Sequence, residues 1–126
     1  VPILLTISAL LDHIGKPNIA EREISAWESI IKKLAESDNV FCKVSGLVTE
    51  ANWHSWENKD FKPYFEVVLE AFGIDRLMYG SDWPVCKLAA TYQEVVELAE
   101  YLISDLSETE KAKFWGQNAV EAYRLQ

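Results

Sequence analysis

The sequence is poor in the residues that would place it in several common classes. It has only two cysteines, Cys42 and Cys86, far apart and in no CxxC pair. That excludes a disulfide framework and argues against a cysteine-built zinc site. Cys42, inside a strand-like segment, is expected as a small core residue. Cations are few: twelve Lys and Arg stand against twenty Asp and Glu, a net charge of −8. Phosphate binding needs clustered basic residues, so a nucleic-acid partner is not expected. No apolar run approaches the ~20 residues of a membrane span, and no membrane partner is expected. No cationic segment precedes an apolar run, so no signal peptide is visible and a cytoplasmic setting is expected. There is no GxGxxG or GKS/T loop after any strand and no GxSxG. Dinucleotide binding, P-loop chemistry and a serine nucleophile elbow therefore lack their signatures. Methionine occurs once, at Met78, and the chain opens on Val1, so it reads as a processed product or a piece of something longer.

What is present is material for a core. Of 126 residues 49% are hydrophobic, with five each of Trp, Tyr and Phe. One domain, residues 1–126 with no internal boundary, is expected. Strand-like and helix-like segments alternate. An apolar, β-branched start predicts a buried strand over Leu5 to Asp12, ended by Gly15 and Pro17. Residues 23–36 carry Ile24, Trp27, Ile30, Ile31, Leu34 and Ala35 at helical spacing. Residues 40–45 form a second strand, with Val40, Cys42 and Val44 on one side and Phe41, Lys43 and Ser45 on the other. A loop from Leu47 to Lys59 leads to a helix over residues 60–72, with Asp60 as N-cap, Pro63 in the first turn and Gly73 past the end. Residues 75–81 predict a third strand. Thr91 with Glu94, and Ser107 with Glu110, are spaced as capping boxes for two further helices. The first of these should bury Val95, Val96, Ala99, Leu102 and Ile103. The second should bury Ala112, Trp115, Ala119 and Tyr123 and bend near Gly116.

The order β-α-β-α-β-α-α, without hairpin signals, implies parallel pairing. It fits part of a (β/α)8 barrel or a small doubly wound sheet, and in both the sites lie at the C-terminal ends of the strands. Polar and aromatic residues gather there: Asp12 and His13, then Ser45 to Trp53, then Gly80 to Pro84. His13 can ligate a metal, relay a proton or polarise a carbonyl, or it can be a histidine satisfied by backbone. Asp82 can ligate a metal or act as general base on water, or serve a turn before Pro84. Glu50 can bind hydroxyls or be a solvated charge. Trp53 and Trp83 can stack on a ring substrate or plug a barrel mouth. Lys43 points to the inner side of a barrel, where it requires an anionic partner. His54 is expected on the surface.

The strings LDHIGKP, KVSGL-TEA-W, DRLMYGSDWPVC and WGQNAVEAYRL resemble the C-terminal part of the amidohydrolase-2 family, over nearly all of residues 10–125. The likeness is to its sugar-lactonase branch. It implies an α/β fold in which the three βα units are the sixth to eighth of a TIM-like (β/α)8 barrel, plus a terminal helix. It also implies hydrolysis of a sugar lactone or related ester or amide. His13 then resembles the sixth-strand histidine that contacts the carbonyl or water. Asp82 resembles the eighth-strand aspartate that activates water and ligates metal where one is present. Glu50 and Trp53 fall in the substrate-shaping seventh loop, and Trp83 joins them as a substrate-binding residue. The family's first-strand His-x-His pair has no counterpart here. The family includes members with one divalent metal and members without. The resemblance therefore implies either a full-length parent holding one Zn or Mn, with Asp82 a ligand if absent strands supply the others, or a parent without metal, and no tight binding to this chain alone. A second reading is a non-catalytic, truncated half-barrel that self-associates, because three open parallel strands expose two edges and an inner face.

Overall fold

The computed structural model describes residues 9–123. Three parallel strands, β1 (Ala9–Leu11), β2 (Val40–Val44) and β3 (Leu77–Tyr79), form one sheet in the order β1-β2-β3. Leu11 stands beside Cys42 and Cys42 beside Leu77, while Lys43 stands beside Met78. Between and after the strands run α1 (Ser25–Ala35), α2 (Lys62–Phe72), α3 (Tyr92–Leu102), α4 (Glu108–Ala112) and α5 (Asn118–Tyr123).

The strands are shorter than the sequence pattern suggests. Of the first predicted strand only Ala9–Leu11 pairs, and Leu5 to Ser8 lie outside the described residues. Asp12 leaves the strand because its carboxylate accepts the His13 N–H at 3.1 Å, opening a tight turn over Asp12–Gly15. Nor is β1 buried. Among the described residues it pairs on one side only, and Leu10 stays 36% exposed. At β3, Ile74–Arg76 forms a 3-10 turn instead of extended chain. Arg76 there donates to the carbonyls of Phe72, Ala35 and Ser37, tying two helix ends to the strand entry.

The helices cover one face of the sheet. Cys42, Val44 and Leu77 meet Ile31, Phe65, Val68, Leu98, Leu102 and Phe114 in one core. In α1 the inward row is Trp27, Ile31 and Ala35. Ile30, one residue off that row, is 61% exposed against expectation. In α3 Leu98 takes the buried place expected of Val96, which is half-buried. Asp60 is not the N-cap of α2. A single turn, Asn58–Phe61, precedes the helix, and Asp60 closes a capping box with Glu57. Both boxes at α3 and α4 form as read.

The bend near Gly116 is a π-helical turn over Lys113–Gln117. Its wider turn shifts the inward register, so Phe114 and Asn118 are buried while Trp115 and Tyr123 are 38% and 50% exposed. Asn118 donates to the Ile74 and Leu77 carbonyls, fixing this segment to the start of β3. On the opposite sheet face Phe41 and Met78 are buried around Lys43, so that face is less bare than an open half-barrel suggests.

Candidate functional site

The site forms where the three strands end. β2 is central, and its exit is small and buried: Ser45 is 2% exposed, and Gly46 has φ +65°. From the β1 side, the Asp12–Gly15 turn holds His13 and Ile14 in left-handed backbone, φ 51° and 52°. Such a conformation is rare for residues with a Cβ, above all a β-branched one, and marks a constrained position. Ile14 is fully buried, and its carbonyl accepts the Trp27 indole N–H at 2.8 Å. The turn thus swings the His13 ring over the end of β2, where Nδ1 lies 2.9 Å from Ser45 Oγ. A Cβ on Gly46 would stand 3.1 Å from three atoms of His13, so glycine makes room for the ring. From the β3 side comes Asp82, also left-handed at φ 59°. Its carbonyl accepts the Cys86 N–H at 2.8 Å. Its carboxylate reaches 3.8 Å from His13 Nε2.

Two further residues, Asp12 and Ser45, belong to the same cluster, although their sequence pattern suggests no catalytic role. Asp12 Oδ2 lies 3.4 Å from His13 Nε2, and Asp12 Oδ1 lies 3.7 Å from Lys43 Nζ. Lys43 therefore has the anionic partner its inward position requires. Ser45 could have been found from the strand alternation, which puts it with Lys43 at the C-terminal end of β2. Asp12 stands among the polar strand-end residues, but as the last residue of the predicted strand it carries no sign of a role of its own. Gly80 completes the arrangement: a Cβ there would lie 2.5 Å from Lys43 Cε and 2.9 Å from Ser45 Cβ.

The remaining expected site residues stand apart. Glu50 pairs with Lys16 at 3.6 Å, linking the loops after β2 and β1. Trp53 donates its indole N–H to the Thr49 carbonyl and is 44% exposed. Trp83 is 61% exposed. Among the described residues, no hydrogen bond, ion pair or ring contact joins these three to His13 or Asp82. His54 is exposed as expected. A groove of about 550 Å³ opens nearby, lined by Arg22, Asn52, Lys59 and Tyr64 among others, but His13, Ser45 and Asp82 do not line it. Among the described residues no three His, Cys, Asp or Glu side chains are placed to hold a metal ion. A catalytic zinc typically has about three protein ligands, so this donor set alone does not fit one.

Burial acts on three acidic groups behind the site. It pushes the Cys42 thiol up to about 12 and the Tyr79 phenol up to about 12. Burial, with the nearby Asp82 charge, also raises the Cys86 thiol. Both cysteines are free. These thiols stay protonated and are not nucleophiles at neutral pH. No helix among the described residues is long and apolar enough to cross a membrane.

Known proteins resemble this chain in sequence and fold. The chain is 42% identical over 92% of its length to an L-fucono-1,5-lactonase of Burkholderia multivorans, spanning 43% of that protein. It is 36% identical over 92% of its length to an L-fucono-1,5-lactonase of Burkholderia ambifaria, spanning 41% of it. The chain thus spans well under half the length of these relatives. A zinc-bound crystal structure of an amidohydrolase from Burkholderia multivorans superposes with a TM-score of 0.91 at 41% identity, over 95% of this chain and 45% of that one. The Amidohydrolase family model, finally, matches residues 7–125, nearly the whole chain, and the chain belongs to the amidohydrolase-2 family.

Proposed function

We propose that this chain carries the carbonyl-activating and water-activating residues of a lactone hydrolase, and that its substrate is a sugar lactone of the L-fucono-1,5-lactone kind. The supporting observation is the convergence of His13 and Asp82 from two strand ends to 3.8 Å. Relatives at 42% and 36% identity are L-fucono-1,5-lactonases. Asp82 is the general base: its carboxylate accepts a proton from water as the water attacks the lactone carbonyl. His13 polarises that carbonyl and stabilises the oxyanion that develops on it. The proton from water then passes to the ring oxygen as the C–O bond breaks, leaving a hydroxy acid. Glu50, Trp53 and Trp83 border the substrate, with Glu50 placed by Lys16 to meet sugar hydroxyls and the two indoles to stack on the ring.

In this reading residues 1–126 form one unit without an internal boundary, and β1, β2 and β3 are the sixth to eighth strands of a (β/α)8 barrel. A barrel of that type needs ~250 residues, and the curated relatives are more than twice as long as the matched region. A metal ion, if the complete barrel holds one, takes Asp82 as one ligand and the rest from strands outside this chain. Two free, buried thiols suit a cytoplasmic setting. The self-associating, non-catalytic reading has less support. It does not account for a histidine and an aspartate held in strained backbone and turned toward each other.

The test is hydrolysis of L-fucono-1,5-lactone by the complete barrel containing this sequence. Asp82→Asn should lower kcat by about 10²-fold or more with KM little changed. An unchanged kcat would refute the role of Asp82.

A further inference from the structure

The contact between His13 and Ser45 decides where the imidazole proton sits. A neutral imidazole has one N–H and one bare nitrogen, and its hydrogen bonds select between the two tautomers. Ser45 is 2% exposed, and among the described residues its hydroxyl has no hydrogen-bond partner except His13 Nδ1 at 2.9 Å. Were Nδ1 protonated, it would donate to Ser45 Oγ, and the buried Ser45 O–H would be left without an acceptor. A buried, unsatisfied donor is strongly disfavoured. If the Ser45 O–H donates to a bare Nδ1, both groups are satisfied.

The other ring nitrogen independently favours the same tautomer. Nε2 looks toward Asp12 Oδ2 at 3.4 Å and Asp82 Oδ1 at 3.8 Å. Ionised carboxylates only accept hydrogen bonds, so a lone pair on Nε2 would face two like partners, whereas an N–H is attracted to both. Both distances exceed the ordinary hydrogen-bond length of about 2.7–3.2 Å, so that N–H is aimed but not spent. Gly46 and Gly80 supply the space in which this pairing forms: a Cβ on the first would strike the His13 ring, and on the second Ser45 itself.

We propose that Ser45 is a positioning residue: its hydroxyl donates to His13 Nδ1 and holds the proton on Nε2, so that His13 meets the substrate carbonyl as a hydrogen-bond donor. This deepens, and its catalytic meaning rests on, the lactone-hydrolase reading. It also separates His13 from metal ligation, since a ligating Nε2 must carry a lone pair, with Nδ1–H donating to Ser45.

Ring-nitrogen NMR of the 15N-histidine-labelled chain reads this without any assay of activity. The spectrum is taken at about pH 8.5, well above the ordinary imidazole range near 6.5. Only His13 and His54 contribute, and His54→Gln assigns them. His13 should show a pyridine-type Nδ1 and a pyrrole-type Nε2, while exposed His54 shows averaged signals. In Ser45→Ala the His13 pair should lose that separation and move toward the values of His54, and Zn²⁺ added to the chain should leave the wild-type His13 signals in place. A pyrrole-type Nδ1, averaged His13 signals in the wild type, or a spectrum indifferent to Ser45→Ala would each overturn the proposal. A spectrum as expected, with no lactone hydrolysis by the complete barrel, would instead overturn the functional reading and leave the tautomer assignment standing.

Discussion

At the scale of single residues, the site depends on side chains that are absent. Gly46→Ala would bring a methyl 3.1 Å from the His13 ring in backbone of φ +65°. Left-handed backbone costs a residue with a Cβ about 1 kcal/mol, and the crowding must also push the ring off Ser45. The expected result is a loss of about 1–3 kcal/mol in urea unfolding, with a fall in kcat of the complete barrel larger than that loss of stability explains. Normal activity in a well-folded Gly46→Ala barrel would show that the seating of His13 over Ser45 is not needed. Asn118 is the other residue whose role is out of proportion to its size. Being 3% exposed, it satisfies the Ile74 and Leu77 carbonyls from one amide. Asn118→Leu should destabilise the chain by about 1–3 kcal/mol, since both acceptors then lose their donor in a buried place. His13 and Asp82 were legible in the sequence because strand ends are where parallel α/β folds place chemistry. Asp12 was not, because a carboxylate that ends a strand and one that turns the chain look alike until the His13 N–H finds it.

At the scale of elements, helices were legible and strand limits were not. A helix start is a local event. Thr91 and Glu94 satisfy each other's backbone N–H groups within four residues, and the reciprocal bonds are 3.0 and 2.8 Å. Thr91→Ala should therefore cost about 1 kcal/mol, read by thermal or urea unfolding, and Thr91→Ser should recover most of it. A strand's length depends instead on what it pairs with. Ala9–Leu11 has a partner only on the β2 side among the described residues, and no pattern within the segment reveals where pairing stops. The π turn over Lys113–Gln117 was legible as a bend near Gly116 but not in its register, because one wide turn moves every later side chain around the axis. Phe114 shows the consequence. It is fully buried, with ring centroids 6.1 Å from Phe65 and 6.1 Å from Tyr79, whereas the expected anchor Trp115 is 38% exposed. Phe114→Ala should accordingly destabilise by about 3–5 kcal/mol, and Trp115→Ala by much less.

At the scale of the whole molecule, helices cover one face of the sheet, and on that side sit two of the groups that burial protects most. Cys42 lies at the centre of β2 and Tyr79 at the end of β3, where it packs against Phe114 and Trp115. An ordinary thiol loses its proton near 9.0 and an ordinary phenol near 10.0, but burial carries Cys42 to about 12 and Tyr79 to about 12. Below pH 9 both states of the chain keep these protons, and the stabilisation is fully present. Between about 9 and 12 the unfolded chain releases them while the folded chain still holds them, so unfolding becomes more favourable and the chain less stable with every step up in pH. The Cys86 thiol, raised by burial first and the Asp82 charge second, adds to the same trend. The urea midpoint should therefore be nearly flat from pH 7 to about 8.5 and fall steadily above 9. Cys42→Ala should flatten the first part of that decline, because Ala carries no proton to lose, whatever it costs in packing at neutral pH. A midpoint that held steady to pH 11 would mean that the sheet centre admits water, and that helices on one side do not seal three strands of a barrel.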